Sequence, residues 1–376
     1  MHIEQVLRPA ARLVAAVAAL GALASQGAHA QSLIELYQMA RGYDATYLSA
    51  RAFAQSAPYR VEQTRALLRP SASLSGSGSR VETHPTYGPS YGSNTTGVSI
   101  SGRQPLFNRS SVVTVRQAER SLDASAADLD SAEQDLILRV SQAYFDVLGA
   151  EDTLQTTRAN KAAIAEQLAS AKRNFEVGTA TITDTREAQA RYDLATSQEI
   201  AADNDLVIKR IALDQLVGRD NVAPRQLAAP VVLPAVATAG VDELVVRAAE
   251  SHPAVRRAQV AFDIAQLETE KARAQALPTI DAVASVGGSR GTVAQNITGT
   301  NTGASIGVQI NLPLYTGGAI QNRIKETLVL EERSREDLEA ARRAVTQATR
   351  QAYYTLQSGA AQVKALEAAE ASSQLA

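Results

Sequence analysis

Apolar residues follow a helical period over long stretches of the chain. After Asn108, no Gly or Pro occurs from Val112 to Leu148, and apolar or small residues recur at alternating steps of three and four. This seam consists of Val115, Ala118, Leu122, Ser125, Leu129, Ala132 and Leu136. Such spacing is typical of coiled-coil packing. The stretch predicts a helix roughly 55 Å long, longer than a compact domain is wide.

Two further helical runs follow in the same half of the chain. They are predicted at about Glu151–Phe175 and at about Asp184–Val217, with a turn at Val177-Gly178-Thr179 between them. A Pro-rich segment at 221–240 then acts as a linker, and the helical pattern resumes at Asp242.

Apolar residues alternate with polar ones in other segments, which predicts strands with one apolar face. The alternation is clearest in Ser305–Leu314 and in Ile280–Val286, and weaker in Ala72–Arg80 and Val98–Arg103.

Polar loops rich in Gly, Ser, Thr and Tyr are predicted between the paired strands, at Thr86–Gly92 and Gly299–Gly303. Each half of the chain therefore carries one predicted β-hairpin, at about 71–107 and at about 278–314.

The two halves repeat one another. Four markers recur in the same order. Pro70 and Pro105 recur as Pro278 and Pro313, each at an offset of 208 (278 − 70 and 313 − 105), and a strand pattern precedes Pro105 and Pro313 alike. A Gln-Ala-Tyr-aromatic sequence recurs at an offset of 209 (351 − 142). So long an offset indicates two sizeable structural repeats instead of a solenoid. The predicted organisation is a first repeat at 31–220, the linker at 221–240 and a second repeat at 241–376.

Prolines are predicted at the junctions between strands and helices, where a missing N–H costs least. They are Pro70, Pro105, Pro278 and Pro313. They could also be edge-strand prolines of a small sandwich, but their occurrence at four equivalent positions favours a role at the strand–helix junctions. Because the smallest transmembrane barrels need about eight strands, four strands would have to combine with those of other copies.

The N-terminus has the features of a signal peptide. Arg8 and Arg12 precede an apolar run from Leu13 to about Ala24, and Ala28-His29-Ala30 supplies small residues for cleavage. Residues 1–30 are therefore predicted to be removed, and the mature chain is expected to start near Gln31 in the periplasm. No later stretch approaches the ~20 apolar residues of a transmembrane helix.

Composition disfavours a compact enzyme. Aromatic residues make up 4% of the chain, there is no Trp and no Cys, and the formal net charge is −2. The charge gives no basic surface for nucleic acid, and the lack of Cys removes disulfides, thiol nucleophiles and thiolate metal sites. Beyond the signal peptide only His84 and His252 remain, too few for a metal or acid–base cluster. We therefore predict no catalytic, cofactor-binding or metal site.

Several local motifs, in this order of elements, resemble the TolC-like outer-membrane efflux protein family. The resemblance covers essentially Gln31–Ala376. It is carried by Leu33-Ile34-Glu35-Leu36-Tyr37-Gln38-Met39-Ala40, Leu68-Arg69-Pro70, Phe175-Glu176-Val177-Gly178-Thr179-Ala180-Thr181-Ile182-Thr183-Asp184, Arg191-Tyr192-Asp193 and Leu312-Pro313-Leu314-Tyr315-Thr316-Gly317-Gly318.

The resemblance implies a mostly helical fold with a small β part. Each protomer of a homotrimer would give four antiparallel strands to a twelve-stranded outer-membrane barrel, and helices to a coiled-coil tunnel across the periplasm. Such a channel would export small molecules or proteins, as in efflux and type I secretion. Its implied partners are a periplasmic adaptor, an inner-membrane pump of the RND, ABC or MFS type, and outer-membrane lipid.

The helical hairpin tip at about 175–185 carries the implied site. By the resemblance, Val177, Gly178 and Thr179 dock the adaptor, whereas Thr183 and Asp184 constrain a gate. The residues alone also fit a simple turn, in which Gly178 supplies a positive φ and Asp184 caps the next helix. By the offset, the counterpart of Val177 would lie near position 386 (177 + 209), so the second repeat is expected to be incomplete.

Another interpretation is a periplasmic coiled-coil adaptor or a scaffold protein of an envelope complex. A scaffold would account for the predicted helices but not for the predicted strands. An adaptor would carry lipoyl-like and barrel segments on either side of one helical hairpin, and the duplication argues against it. An enzyme is disfavoured because the chain has no phosphate-binding Gly-rich loop and no nucleophile elbow.

Overall fold

The computed structural model describes residues 30–228, 240–293 and 297–374. The predicted signal peptide, apart from Ala30, lies outside the described residues, as does the part of the linker at 229–239.

The described residues form seven α-helices, four β-strands and a short 3₁₀ turn. In chain order they are α1 (Leu33–Tyr43), α2 (Ala45–Arg65), the 3₁₀ turn (Ala66–Leu68), β1 (Ser71–Thr83), β2 (Tyr91–Phe107), α3 (Arg109–Glu176), α4 (Ile182–Val217), α5 (Val241–Ser251), α6 (Pro253–Ala274), β3 (Thr279–Val293), β4 (Ile297–Asn311) and α7 (Ala319–Gln374). None of the described helices combines the length and the hydrophobicity needed to cross a membrane.

Helix α3 is continuous over 68 residues. The predicted interruption between Leu148 and Glu151 is therefore wrong, because Gly149 lies inside the helix. A helical glycine costs about 1 kcal/mol relative to alanine, and the burial of Val147, Leu148 and Ala150 around it offsets that cost. Along the predicted seam, Val115, Ser125 and Leu136 are buried and the other members are half-buried.

The four strands form one antiparallel sheet in the order β1-β2-β3-β4. The second hairpin begins 208 positions after the first (279 − 71). The loop expected at Gly299–Gly303 is wrong, since these residues belong to β4 and pair with residues from Gly291 to Gly287 of β3. Their composition favours a loop, but continuous pairing with a neighbouring strand outweighs this weak preference.

The four junction prolines occupy three kinds of position. Pro70 and Pro278 directly precede β1 and β3, and Pro313 lies two residues after the end of β4. Pro105 differs from the prediction because it lies inside β2, opposite Asp281, where the register with β3 shifts. A proline is tolerated there because the irregular pairing does not require its missing N–H.

The described residues divide into two compact units that do not follow the sequence repeats. One unit contains residues 30–49 and 132–228, and the other contains residues 50–131, 240–293 and 297–374.

The first unit has a core between α1, α4 and the second part of α3. Helix α1 begins with a capping box, in which Ser32 and Glu35 bond each other's amides. Gly218 ends α4 at φ +74°, and a Cβ there would overlap the Tyr43 ring. Only glycine fits this approach. The most deeply buried side chains are Leu36, Leu136, Val140, Val147 and Leu213.

The second unit contains the sheet and a helical layer in which α5 and α6 pack against α7. Its buried cluster comprises Val255, Leu338 and Val345, with Ala248, Ala258 and Phe262 packed around it.

Candidate functional site

The predicted tip of the helical hairpin is the turn between α3 and α4. Helix α3 ends in a Schellman motif: the Thr179 amide donates to the Asn174 carbonyl at 2.8 Å, and the Gly178 amide donates to the Phe175 carbonyl at 3.0 Å. Gly178 has φ +79°, as this motif requires. The Thr179 hydroxyl also donates to the Asn174 carbonyl, at 3.0 Å. The turn is thus fixed by its own backbone and side chains.

A capping box starts helix α4. The Thr181 hydroxyl accepts from the Asp184 amide at 3.2 Å, while Asp184 Oδ2 accepts from the Thr181 amide at 2.8 Å. The bond from the Thr181 amide, and a second one that the Thr181 hydroxyl donates to the same oxygen at 2.8 Å, lower the pKa of Asp184. The capping residue is therefore Thr181 and not Asp184, which acts as its reciprocal partner. The Thr-x-x-Asp spacing was the sequence signal for this pair.

The surface of the turn is exposed and includes apolar side chains. Val177 is 73% exposed, and about half of the surface of the flanking Phe175 and Ile182 is also exposed. The Thr183 side chain is exposed and makes no hydrogen bond within the described part of the chain. The structure therefore brings the five predicted tip residues into one short, solvent-facing segment.

A groove of about 170 Å³ lies beside the turn, between α3 and α4. It contains Asp184 and the ion pair of Arg191 with Glu187, whose N–O distance is 2.6 Å. The other lining residues are Ile164, Gln167 and Ala188. The groove is too small and too polar for a drug-sized ligand, for which pockets of about 300–1,000 Å³ are usual.

In the other unit, the sheet has two chemically different faces. The register aligns odd-numbered residues of all four strands on one face, for example Ser75 with Ser99 and Ser285 with Ser305. This odd face consists mainly of Ser, Thr, Gly, Asn and Gln. Its serine hydroxyls pair across strands at 2.8–2.9 Å, in Ser73–Ser101, Ser75–Ser99 and Ser285–Ser305.

The opposite, even face carries an apolar band. Its large side chains are exposed, and they are Leu74, Val98, Ile100, Val286, Ile306, Val308 and Ile310. Toward the hairpin ends the even face becomes polar, with Arg80, Glu82, Arg290 and Thr300. An exposed apolar band beside a hydroxyl-lined face is the pattern of a strand with lipid on one side and water on the other.

The chain matches the family model "Outer membrane efflux protein" over residues 36–219 and 244–376. Among curated proteins, outer membrane protein TolC of Vibrio cholerae serotype O1 is 32% identical over 338 residues, which cover 89% of this chain and 76% of that protein. TolC of Escherichia coli K12 is 28% identical over 92% of this chain and 72% of that protein. The alkaline protease secretion protein AprF of Pseudomonas aeruginosa is 32% identical over 71% of this chain and 56% of that protein.

Solved structures agree in fold. The outer-membrane channel OprN superposes with a TM-score of 0.74 at 16% identity, covering 89% of this chain and 76% of that one. VceC, an outer membrane protein of Vibrio cholerae, gives a TM-score of 0.69 at 18% identity over 88% and 79%. The predicted fold of long helices with four antiparallel strands is thus confirmed. The chain belongs to the outer membrane efflux protein family, a family of transport channels, and is a subunit of an outer-membrane export channel.

Proposed function

We propose that three copies of the chain close a twelve-stranded barrel in the outer membrane and form an export duct that is gated at the tip between α3 and α4. The two-faced sheet is the observation that carries this proposal. Its hydroxyl face suits a water-filled lumen, and its apolar face suits lipid.

The sheet edges support closure by further copies. Within the described strands, β1 and β4 each pair along one side only, so two rows of backbone N–H and C=O groups need partners in a membrane. Strand β4 of one copy can pair antiparallel with β1 of the next, because the alternating order of four strands leaves these edges pointing in opposite directions. With three copies the ring has twelve strands and no free edge.

The length of the apolar band fits a bilayer. Even-numbered apolar residues run from Ala304 to Leu314 along β4 and the segment after it. The eight residues of this stretch that belong to β4, at about 3.3 Å each and tilted by about 45°, span ~19 Å, and the three that follow can extend the band toward the ~25 Å height of the apolar band on outer-membrane barrels. The hairpin ends would then project beyond the membrane, where Arg80 and Arg290 meet water.

The tip is the proposed contact with the energising machinery. Val177, Gly178 and Thr179 form an exposed turn with one large apolar side chain, Val177, that a periplasmic adaptor can cover. An inner-membrane pump of the RND, ABC or MFS type would act through that adaptor. Thr183 and Asp184 lie at the start of α4, where polar contacts with another copy can hold the duct closed. A few such contacts bias a closed–open equilibrium by a few kcal/mol.

The cargo is proposed as small molecules or proteins, since the names of relatives include both a protease secretion protein and an outer membrane efflux protein, BepC of Brucella suis. The alternative of an adaptor or scaffold in the periplasm leaves the exposed apolar face of the sheet unexplained.

The test combines mass in mild detergent with single-channel conductance in planar bilayers. The proposal expects a trimer of low conductance, and conductance that rises at least severalfold in Asp184→Ala. Thr181→Ala is the matched variant, because it removes the capping box but keeps the carboxylate. Equal rises in both would assign the effect to the turn and remove the gating role of Asp184. A monomer, or a trimer that never conducts, would overturn the duct.

A further inference from the structure

The hydroxyl face of the sheet is nearly free of charge. Among the odd-numbered residues of β1 to β4, the only charged side chains are Arg103 and Asp281. Both belong to the end of the sheet nearest the helices, since Arg103 lies opposite Ser71, the first residue of β1. A single ion pair, neutral as a whole, therefore carries all the formal charges of a face that is otherwise lined by neutral groups.

The pair is strongly asymmetric in exposure. Arg103 Nη2 donates to Asp281 Oδ2 at 2.6 Å. The Arg103 side chain is 59% exposed, whereas the Asp281 side chain is 7% exposed. The negative end of the pair is thus withdrawn into the protein, and the positive end remains in contact with solvent.

The burial of Asp281 also favours its ion pair with Arg103. Its second oxygen, Oδ1, is buried and has no hydrogen-bond partner within the described residues. A buried carboxylate with one unsatisfied oxygen is costly to leave without its cation. Asp281 therefore fixes one edge of the guanidinium, which makes no other hydrogen bond in the described part of the chain.

We propose that Arg103 is a specificity-determining residue of the duct, which binds anionic groups of passing solutes such as carboxylates and phosphates. This inference rests on the proposed trimeric duct, in which three copies of Arg103 form a ring at the inner end of the membrane-spanning lumen. A planar guanidinium offers several N–H donors to such groups, and the neutral hydroxyl lining supplies no competing charge.

The absence of cysteine from the chain allows a direct measurement of the local potential. In Ser101→Cys, the new thiol lies on the same face as Arg103 and two residues away. The reconstituted trimer is treated from its outer side with an anionic and with a cationic methanethiosulfonate, and the ratio of the two reaction rates is recorded. Since the reagents enter from outside, a closed periplasmic tip does not affect the result.

Removing the positive charge in Arg103→Gln should lower the anionic-to-cationic rate ratio by roughly tenfold, because one unit charge at ~6 Å in water changes each rate by about threefold in opposite directions. Arg103→Lys should keep most of the ratio. Asp281→Asn should raise it, and this variant keeps the arginine if Arg103→Gln fails to assemble.

Ser77→Cys is the matched control on the same face. It lies six residues along β1 from the position opposite Arg103, about 20 Å away and beyond the screening length of ~8 Å at physiological salt. Its ratio should not change with Arg103. If the rate ratio at Ser101→Cys is unchanged by substitution of either Arg103 or Asp281, the inference is overturned but the proposed duct is not. A thiol at both positions that neither reagent reaches in an assembled trimer instead contradicts the proposed lumen.

Discussion

Asp44 and Arg139 form a bidentate ion pair, in which Nη1 lies 2.9 Å from Oδ1 and Nη2 lies 2.8 Å from Oδ2. Asp44 also ends α1, and its Oδ2 accepts a hydrogen bond from the Tyr47 amide at 2.8 Å in the first turn of α2. The Asp44 residue is 8% exposed. One nearly buried carboxylate therefore ends one helix, caps the next and ties both to α3.

Arg139→Met should lower the free energy of unfolding by about 2 kcal/mol, because it leaves a nearly buried carboxylate without its cation. The value is below that of a fully buried pair, since Arg139 is partly exposed. Thermal unfolding in detergent, followed by circular dichroism at 222 nm, measures the change. Arg191→Met, which breaks an exposed pair with Glu187, should cost less than about 0.5 kcal/mol. Equal losses in the two variants would contradict the special role of Asp44.

The same pair predicts a dependence on pH. The hydrogen bond from Arg139 lowers the pKa of Asp44 despite the opposing effect of burial. Because the folded-state pKa lies below the ordinary value of about 3.9, the pair stabilises the fold fully above that pH and loses its effect as pH falls further. The difference in melting temperature between the wild type and Asp44→Asn should stay constant from pH 7 to pH 5 and shrink below pH 4. A difference that persists at pH 2.5 would show that the charge of Asp44 is not what stabilises.

Two glycines of the first unit should respond to alanine in opposite directions. Gly178 has φ +79°, so Gly178→Ala strains the backbone and should destabilise by about 1 kcal/mol, although space for a Cβ is available. Gly149 lies inside α3, where a Cβ would have open space around it, and Gly149→Ala should stabilise by up to about 1 kcal/mol. Urea unfolding of both variants checks the signs, and a gain in Gly178→Ala would refute the strained turn.

Gly287 in β3 should be irreplaceable for a different reason. A Cβ at Gly287 would lie 2.8 Å from both the Ser99 Cβ and the Val98 carbonyl oxygen, so Gly287→Ala must displace strand β2. We expect a loss of about 2 kcal/mol and a lower yield of trimer, measured by gel electrophoresis in mild detergent. Gly97 is the control on the same face, since a Cβ there meets its neighbours at 3.5 Å or more. Equal yields of the two alanine variants would contradict the crowding at Gly287.

The periodic parts of the fold were predictable from the sequence. Alternation gave both hairpins, and the three–four spacing gave the seam of α3, because one buried face leaves a regular trace along the chain. The glycine at 149 and the Gly-Thr-Asn run at 299–303 wrongly predicted a helix end and a loop. In both places packing or strand pairing in three dimensions outweighs a local preference of about 1 kcal/mol.

The site residues were only partly predictable. Thr181 and Asp184 are three residues apart, so their capping box could be found from the sequence alone. The contact between Arg103 and Asp281 joins positions 178 residues apart and leaves no local signal. Only the register of β2 against β3 brings these two side chains to the same face.

Because successive side chains of each strand point to opposite faces, the pattern of the two faces repeats every two residues along the sheet. A single residue gained or lost within β2 would exchange the two faces for the rest of that strand, turning serine hydroxyls toward lipid and valine or isoleucine toward water. The connection at 84–90 lies between β1 and β2, outside the paired residues, and can change in length without moving any strand residue to the other face. Divergence among such chains is therefore expected to add or remove residues in the exposed hairpin loop, and to change strand length only in pairs.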